Sequence, residues 1–354
     1  MFLFGGISFA FIPKQEEYVL GKRVERWNWL PAIFLAGPYA VWAGWRSNYY
    51  GDTGVYRAAF LSMPTGLGNM ISYISSRRTG YGFAFFEYLF KSIVSRSDVA
   101  FFTVLAAIQL ILIIYIYRKY SSNYWLSFFL FVASTDYLSW MHNGVRQFLA
   151  VTIIFASLPL LVKRKNVLMC VVVLFATWIH TSAIIFLPFI FVVNGRALNV
   201  RTIMYILALL VSIVFLDKVS DFIVKSMENT EYEGDIAIFL NDDGTNIMRV
   251  LFYSVPAIMA WLFRPYLDRA NDPLINICAN LSVVSAGVYL FSFFTSGILV
   301  GALPIYFSMA NYILIPWLIM EVFDSASALL IELGFVGMYS FFFYYQMVIT
   351  WKLM

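Results

Sequence analysis

Of 354 residues, 61% are apolar and only 12% are charged, with a formal net charge of +4. A soluble domain carries about 25% charged residues, and its surface needs them, so soluble, disordered and disulfide-scaffold classes are excluded. The apolar residues come in long unbroken runs rather than in alternation, which excludes an outer-membrane barrel and leaves an all-α polytopic membrane protein.

At roughly 20 residues per span, the length accommodates about 11–12 transmembrane helices, and residues 1–354 are expected to form one integral membrane domain. Met1–Ile12 is apolar but short. It has no basic n-region and no small-residue cleavage site, so it reads as the end of a first helix rather than as a signal peptide. A basic loop with Lys14, Lys22, Arg23 and Arg26 follows and belongs in the cytoplasm by the positive-inside rule. Spans are then expected at 28–45, 98–117, 123–139, 146–162, 166–179, 181–194, 200–216, 247–263, 274–296, 299–323 and 327–351.

The run 166–194 is decided by its flanks. Lys163, Arg164 and Lys165 lie before it, and Arg196 and Arg201 after it. Both ends want the cytoplasm, so the run should go up and come back with its apex at His180. Each arm is then short for a bilayer-crossing helix and should stop in a cavity walled by other helices. Thr181 and Ser182 are expected to N-cap the descending arm. This parity puts Arg118–Lys119 and Arg264–Arg269 inside and two long loops outside. The loop 46–97 is rich in Arg, Tyr and Gly and is expected to carry amphipathic helices, whereas 217–246 is acidic, with Glu228, Glu231, Glu233, Asp242 and Asp243 among its carboxylates.

Several arginines then fall on the outer side against the trend: Arg46, Arg57, Arg77, Arg78, Arg146 and Arg249. Arg146 and Arg249 stand where inward-running helices begin. A helix N-terminus presents free N–H groups and a positive dipole end, so an arginine there does not stabilise the helix but builds an anion site. Arg46 abuts a span in the same way. For Arg57, Arg77 and Arg78, snorkelling to headgroup phosphates is at least as good a reading. His180, at the hairpin apex, is read either as a buried hydrogen-bonded histidine or as a functional one. His142 is expected nearer the surface and without a role. Asp52, in Gly51-Asp52-Thr53, either caps a turn or orients Arg46. The outer-loop tyrosines, Tyr56 among them, suit an interfacial belt or stacking on sugar rings.

Other chemistry is missing. Cys170 and Cys278 each sit inside an apolar run as small hydrophobes. No metal site, phosphate loop or His-Glu-x-x-His motif is written in the chain, so no cofactor is expected, and the mild charge gives no case for nucleic acid.

The order of features nevertheless resembles a known family. Arg46 and Asp52–Tyr56 follow an early span; Asn143-Gly144-Val145-Arg146-Gln147 opens a middle helix; Ile179-His180-Thr181-Ser182-Ala183 follows a basic turn. Gly244-Thr245-Asn246-Ile247-Met248-Arg249-Val250 with Pro256 comes next, then Leu303-Pro304-Ile305-Tyr306-Phe307 and Ile315-Pro316. From about 28 to 320 the chain is similar to the EpsG family of Wzy-like bacterial polysaccharide polymerases. One departure stands out. The resemblance implies an arginine just before Leu303, where this chain has Ala302. Either the lineage has lost it or an Arg-to-Ala change has disabled the enzyme, and the intact surroundings of the position favour the second.

The resemblance implies a GT-C-like, lipid-dependent glycosyltransferase in the bacterial inner membrane with its active site facing outward. Such enzymes join oligosaccharide repeat units carried on undecaprenyl pyrophosphate, as O-antigen, capsule or exopolysaccharide. A flippase and a chain-length regulator are the implied partners. On that reading Arg146, Arg249 and Arg46 stabilise the pyrophosphate leaving group, His180 is the general base with Asp52 as its alternative, and Tyr306, with Tyr56, meets the sugar. The competing readings are an O-antigen ligase-like transferase, a polysaccharide or lipid transporter, and a membrane acyltransferase. The transporter predicts internal repeats and midplane charges that the chain lacks. The acyltransferase leaves the outer arginines unexplained.

Overall fold

The computed structural model describes residues 14–19, 22–77, 79–228 and 233–351. Met1–Ile12, Arg78 and Glu231, each singled out above, lie outside the described residues. The molecule is an all-α polytopic membrane protein. Among the described residues, five helices are long and apolar enough to cross a membrane alone: Asp98–Tyr120, Val145–Val162, Pro273–Phe293, Ile305–Val322 and Ser325–Thr350. Two bent pairs raise the number to seven, Val200–Val214 with Leu216–Met227 at 95° and Ile247–Leu262 with Arg264–Ala270 at 64°. Trp29–Gly44, Tyr124–Ala133, Asn166–Ile179 and Thr181–Val192 are shorter apolar helices. Each expected span therefore coincides with helix, but several are shorter or more broken than a uniform set of spans.

The helices begin where the polar residues allow. Ser97, Asn123, Asn199, Asn246, Asp272 and Asp324 each accept a backbone N–H of the first turn that follows. In a lipid-embedded chain these caps matter because the first turn's N–H groups otherwise lack partners.

The chain divides into two compact units, one of Met1–Ala156, Leu174–Ala183 and Phe323–Met354, the other of Ser157–Val173 and Ile184–Val322. In the first, Trp29–Gly44 packs along Asp98–Tyr120, which also packs on Val145–Ala156. A β-carbon at Gly44 would overlap Thr103 Oγ1, so glycine is what permits this close approach. Phe101 centres the core there, stacked on Phe60 at 4.9 Å and edge-on to Phe83 and Phe90. In the second unit, Pro273–Phe293 is the central helix, packed against Ile247–Leu262, Asn311–Val322 and Val200–Val214.

The 166–194 run does return on itself. Asn194 Nδ2 donates to Asn166 Oδ1 at 3.0 Å, so its two ends meet. The arms part at His180, where a 3-10 turn, Thr181–Ile185, leads into Phe186–Val192. Thr181 and Ser182 are not N-caps: Phe186–Val192 starts from Ile185 without a side-chain cap, and the Ser182 hydroxyl bonds the His180 ring instead.

The basic stretch after residue 13 is not a plain loop. Gln15–Val19 and Lys22–Arg26 pair as an antiparallel hairpin. Long-range contacts explain it. Arg118, at the end of Asp98–Tyr120, grips Glu17 bidentately at 2.7 and 3.1 Å and donates to Trp27 O, while Arg26 Nε donates to Lys119 O at 2.8 Å. The hairpin thus sits at the Arg118–Lys119 end of that helix. The 46–97 loop carries helices, Thr53–Ser62, Met70–Ser75 and Tyr81–Leu89.

Candidate functional site

Arg46 follows directly on Trp29–Gly44 and its short C-cap, and only 3% of it is exposed. Its Nη1 donates to the carbonyls of Met141 and His142 at 2.8 and 2.9 Å, and the guanidinium lies 4.1 Å over the Phe102 ring. Those carbonyls are available because Tyr137–Asn143 is a π-helical turn that ends at Gly144. Among the described residues, Nε and Nη2 of Arg46 have no hydrogen-bond partner. Burial, then the neighbouring Arg57, pulls its pKa down to about 10, so it remains a cation at neutral pH. A buried guanidinium with donors to spare is a ready anion ligand.

His142 is buried, contrary to the surface position expected for it. It packs edge-on against Trp42, Tyr50 and Tyr137, because the π turn folds it inward. Burial and the charge of Arg46 push it down to about 3, so the ring is neutral.

The Asp52 turn is docked by Asn143. The Asp52 N–H donates to Asn143 Oδ1 at 2.7 Å, and at left-handed Gly51 a β-carbon would overlap that same oxygen. The Asp52 carboxylate itself is exposed and does not cap the helix it precedes. Arg57 is not free to snorkel. Its Nε pairs with Asp98 at 2.9 Å, Nη1 bonds Asn48 and Nη2 donates to Arg46 O. Arg77 lies over the Tyr73 ring and bonds its hydroxyl.

Tyr56 links these groups. It hydrogen-bonds Arg146, and its ring centre is 6.0 Å from that guanidinium. Burial raises its pKa, and Arg146, Asp52 and Arg46 all act on it electrostatically. Arg146 is the exposed second residue of Val145–Ala156, at the expected helix N-terminus. Gly80, with φ +66°, marks where three segments meet: a β-carbon there would lie 3.5 Å from Ile179 O and 3.7 Å from Arg146 Nη1. One residue on, His180 Nδ1 shares a 2.8 Å hydrogen bond with Ser182 Oγ. Trp178 packs so closely on Gly82 that a β-carbon would come within 2.5 Å of its ring.

Two residues of the 46–97 loop escaped the sequence reading. Glu87 is 6% exposed, and burial pushes its carboxyl up to about 7 despite Arg77, Arg146 and Lys91 nearby. Lys91 is equally buried and donates to the carbonyls of Phe60, Leu61 and Met63 at 2.6–2.8 Å. Their one visible signal is their spacing: an acid and a base four residues apart in an otherwise apolar helical run.

The first unit therefore brings together Arg46, Asp52, Tyr56, Arg146 and the backbone beside His180. The remaining residues belong to the second unit. Arg249 is the half-buried third residue of Ile247–Leu262, about 6 Å from the rings of Tyr253 and Tyr289, which stack on each other at 4.6 Å. The loop before it is latched by Asp242, whose carboxylate accepts from Gly244 N, Ser296 Oγ and Ile298 N. Gly244, Gly297 and Gly301 pack backbone to backbone beside Thr245, and a side chain at any of them would collide. Ala302 follows Gly301 and is partly exposed, whereas Tyr306 is buried at 4%. Among the described residues no three His, Cys, Asp or Glu side chains group as metal ligands.

No curated protein and no solved structure matches the chain. The model of the EpsG family does, over residues 29–352. That match runs through both units, and with it the chain belongs to the EpsG family.

Proposed function

We propose that the protein polymerises oligosaccharide repeat units carried on undecaprenyl pyrophosphate, at the outer face of the bacterial inner membrane. Family membership supports a polysaccharide-polymerase-like role in general. The observation that carries the finer reading is the convergence at Gly80 of Arg146, the outer loop and the hairpin apex beside His180.

In the reaction, a sugar hydroxyl of one lipid-linked unit attacks the anomeric carbon of the growing chain. The new glycosidic C–O bond forms as the bond to the pyrophosphate oxygen breaks. The lipid pyrophosphate leaves with the electron pair, and the hydroxyl proton passes to a base. Arg146 meets the charge developing on the leaving group, aided by the dipole of its own helix. Arg46, with Nε and Nη2 unengaged, holds a second phosphate or sugar oxygen. Arg249 offers the same cationic chemistry at its own helix N-terminus. His180, its Nδ1 oriented by Ser182, takes the proton through the opposite ring nitrogen. Asp52 is the alternative base, and Glu87, its carboxyl poised near neutrality by burial, is another. Tyr56 and Tyr306 are assigned to the sugar. Ala302 leaves the chain short of one cation, so substrate binds but turns over poorly. A flippase and a chain-length regulator are the partners that such a reaction needs.

The test is reconstitution of purified Ala302→Arg protein with one lipid-pyrophosphate-linked repeat unit. The expected result is a ladder of longer lipid-linked glycans that is lost in Arg146→Ala and His180→Ala. Transfer only to a lipid A-type acceptor makes the protein a ligase instead. Transfer to neither acceptor refutes the glycosyltransferase reading.

A further inference from the structure

At one end of the second unit three short turns close around a cavity of about 210 Å³. They are the basic turn after Val162, the Asn194–Arg196 turn, and the turn that leads into Pro273–Phe293. Its lining mixes apolar Leu161, Val162 and Ile277 with Arg164, Asn194, Arg196 and Asn276. Arg164 and Arg196 are exposed, and among the described residues neither guanidinium has a protein partner. Lys163 and Lys165 flank Arg164 in the sequence.

Buried amides hold this frame in place. Asn280, with no exposed surface, donates to the carbonyls of Val193 and Arg196 and accepts from Leu198 N and Thr202 Oγ1, so all of its bonds fix the Arg196 turn. Asn194 donates to Asn166 Oδ1 and Ile190 O, tying that turn to the helix that follows Arg164. Asn276, 4% exposed, donates to Asn271 Oδ1 at 3.2 Å. Buried polar side chains are expensive inside a membrane domain, and they mark places where the backbone must be held. Asp272, beside the lining residue Pro273, accepts from Leu274 N and Ile275 N as the N-cap of its helix. The lining thus offers two guanidiniums, those of Arg164 and Arg196, that no protein group engages among the described residues.

We infer that this cavity is a phosphate-binding site, with Arg164 and Arg196 holding the anion and the apolar part of the lining meeting the acyl end of an anionic lipid. A guanidinium pair binds phosphate oxygens through charge-assisted, forked hydrogen bonds. Basic pockets between membrane helices on the cytoplasmic side take lipid headgroups in this way. The turn after Val162 carries Lys163, Arg164 and Lys165, which the positive-inside rule assigns to the cytoplasmic side. The inference stands on the second unit alone and does not depend on the polymerase reading.

The experiment compares full-length protein with the Arg164→Gln/Arg196→Gln double variant in detergent. Native mass spectrometry reads the retention of phosphatidylglycerol against phosphatidylcholine, and calorimetry reads the binding of inorganic phosphate. Lys218→Gln, a cation change far along the chain, is the control, and a thermal melt verifies folding. The expected result is preferential retention of phosphatidylglycerol, weakened about 10- to 100-fold in the double variant, as loss of charge-assisted hydrogen bonds implies. Retention of the lipid without binding of free phosphate identifies a lipid headgroup; binding of both, each lost in the double variant, identifies the phosphate group itself as the ligand. Binding of neither, or equal binding by the double variant, overturns the inference. Should the double variant melt early, the Arg196→Gln single variant gives the same comparison, since its side chain makes no bond that holds the fold.

Discussion

Lys91 offers a sharp test of how the 46–97 loop is held. Its ammonium is buried and donates to three carbonyls, Phe60 O at 2.6 Å, Leu61 O at 2.8 Å and Met63 O at 2.6 Å. Two of these belong to the last turn of Thr53–Ser62, where carbonyls lack helical partners and the dipole favours a cation. Lys91→Met keeps the length of the side chain and removes only the charge and its donors. Leu61 is exposed, so water takes over its carbonyl at little cost. Phe60 and Met63 are buried, and each of their carbonyls left without a partner costs about 1–3 kcal/mol. The sum is about 2–6 kcal/mol, which at 1.4 kcal/mol per decade is roughly a 30-fold to 20,000-fold increase in local opening. The helix so released carries Tyr56 and Arg57. Hydrogen–deuterium exchange in detergent is the assay. Amides from about residue 57 to 63 should exchange faster by that factor, while those of Asp98–Tyr120 stay protected. Unchanged exchange in that stretch would refute the cap and the importance given to it.

Two pH-dependent predictions follow from the carboxylates. Burial, the largest single influence, pushes Asp242 upward, but hydrogen bonds from Ile298 N, Ser296 Oγ, Gly244 N and Gly297 N together outweigh it and hold the group below 3.8. Its contribution to stability is therefore full above 3.8 and is lost as the pH falls through the lower folded value, and Asp242→Asn should lower stability by about 1 kcal/mol or less at neutral pH, since solvent screens a partly exposed carboxylate; a melt that does not move sinks the latch. Glu87 has the opposite sign. Its carboxyl is raised from 4.5 to about 7, so the folded state binds the extra proton and stability should decline as pH rises across that window. Glu87→Gln should flatten the decline, and a slope unchanged in thermal melts would place the carboxyl in water.

The legible part of the site was the part with a local cause. Arg146 and Arg249 announce themselves because each follows a cap-like Asn or Gly and opens an apolar run. His180 is found as the apex because the basic residues at both ends of its run demand the same side. What stayed hidden depends on partners far along the chain. Nothing near His142 says that it will be enclosed by Trp42, Tyr50 and Tyr137. Nothing near Glu87 says that a carboxylate will be buried in the 46–97 loop. The hairpin at Gln15–Arg26 escaped for the same reason, since its anchor is Arg118, 101 residues from Glu17.

The sequence by itself determined the class of the molecule, its helical stretches and the hairpin at 166–194. Those follow from composition, run length and charge placement, which lipid reads one segment at a time. The tertiary structure alone decided that Arg46 is buried with two donors unengaged, that Asn143 docks the Asp52 turn, that Gly80 is where Arg146 meets the hairpin apex, and that Arg164 and Arg196 share a cavity. Each of these is set by packing between segments distant in the chain, where exclusion of water and the pairing of buried polar groups choose among arrangements that the local pattern leaves equal.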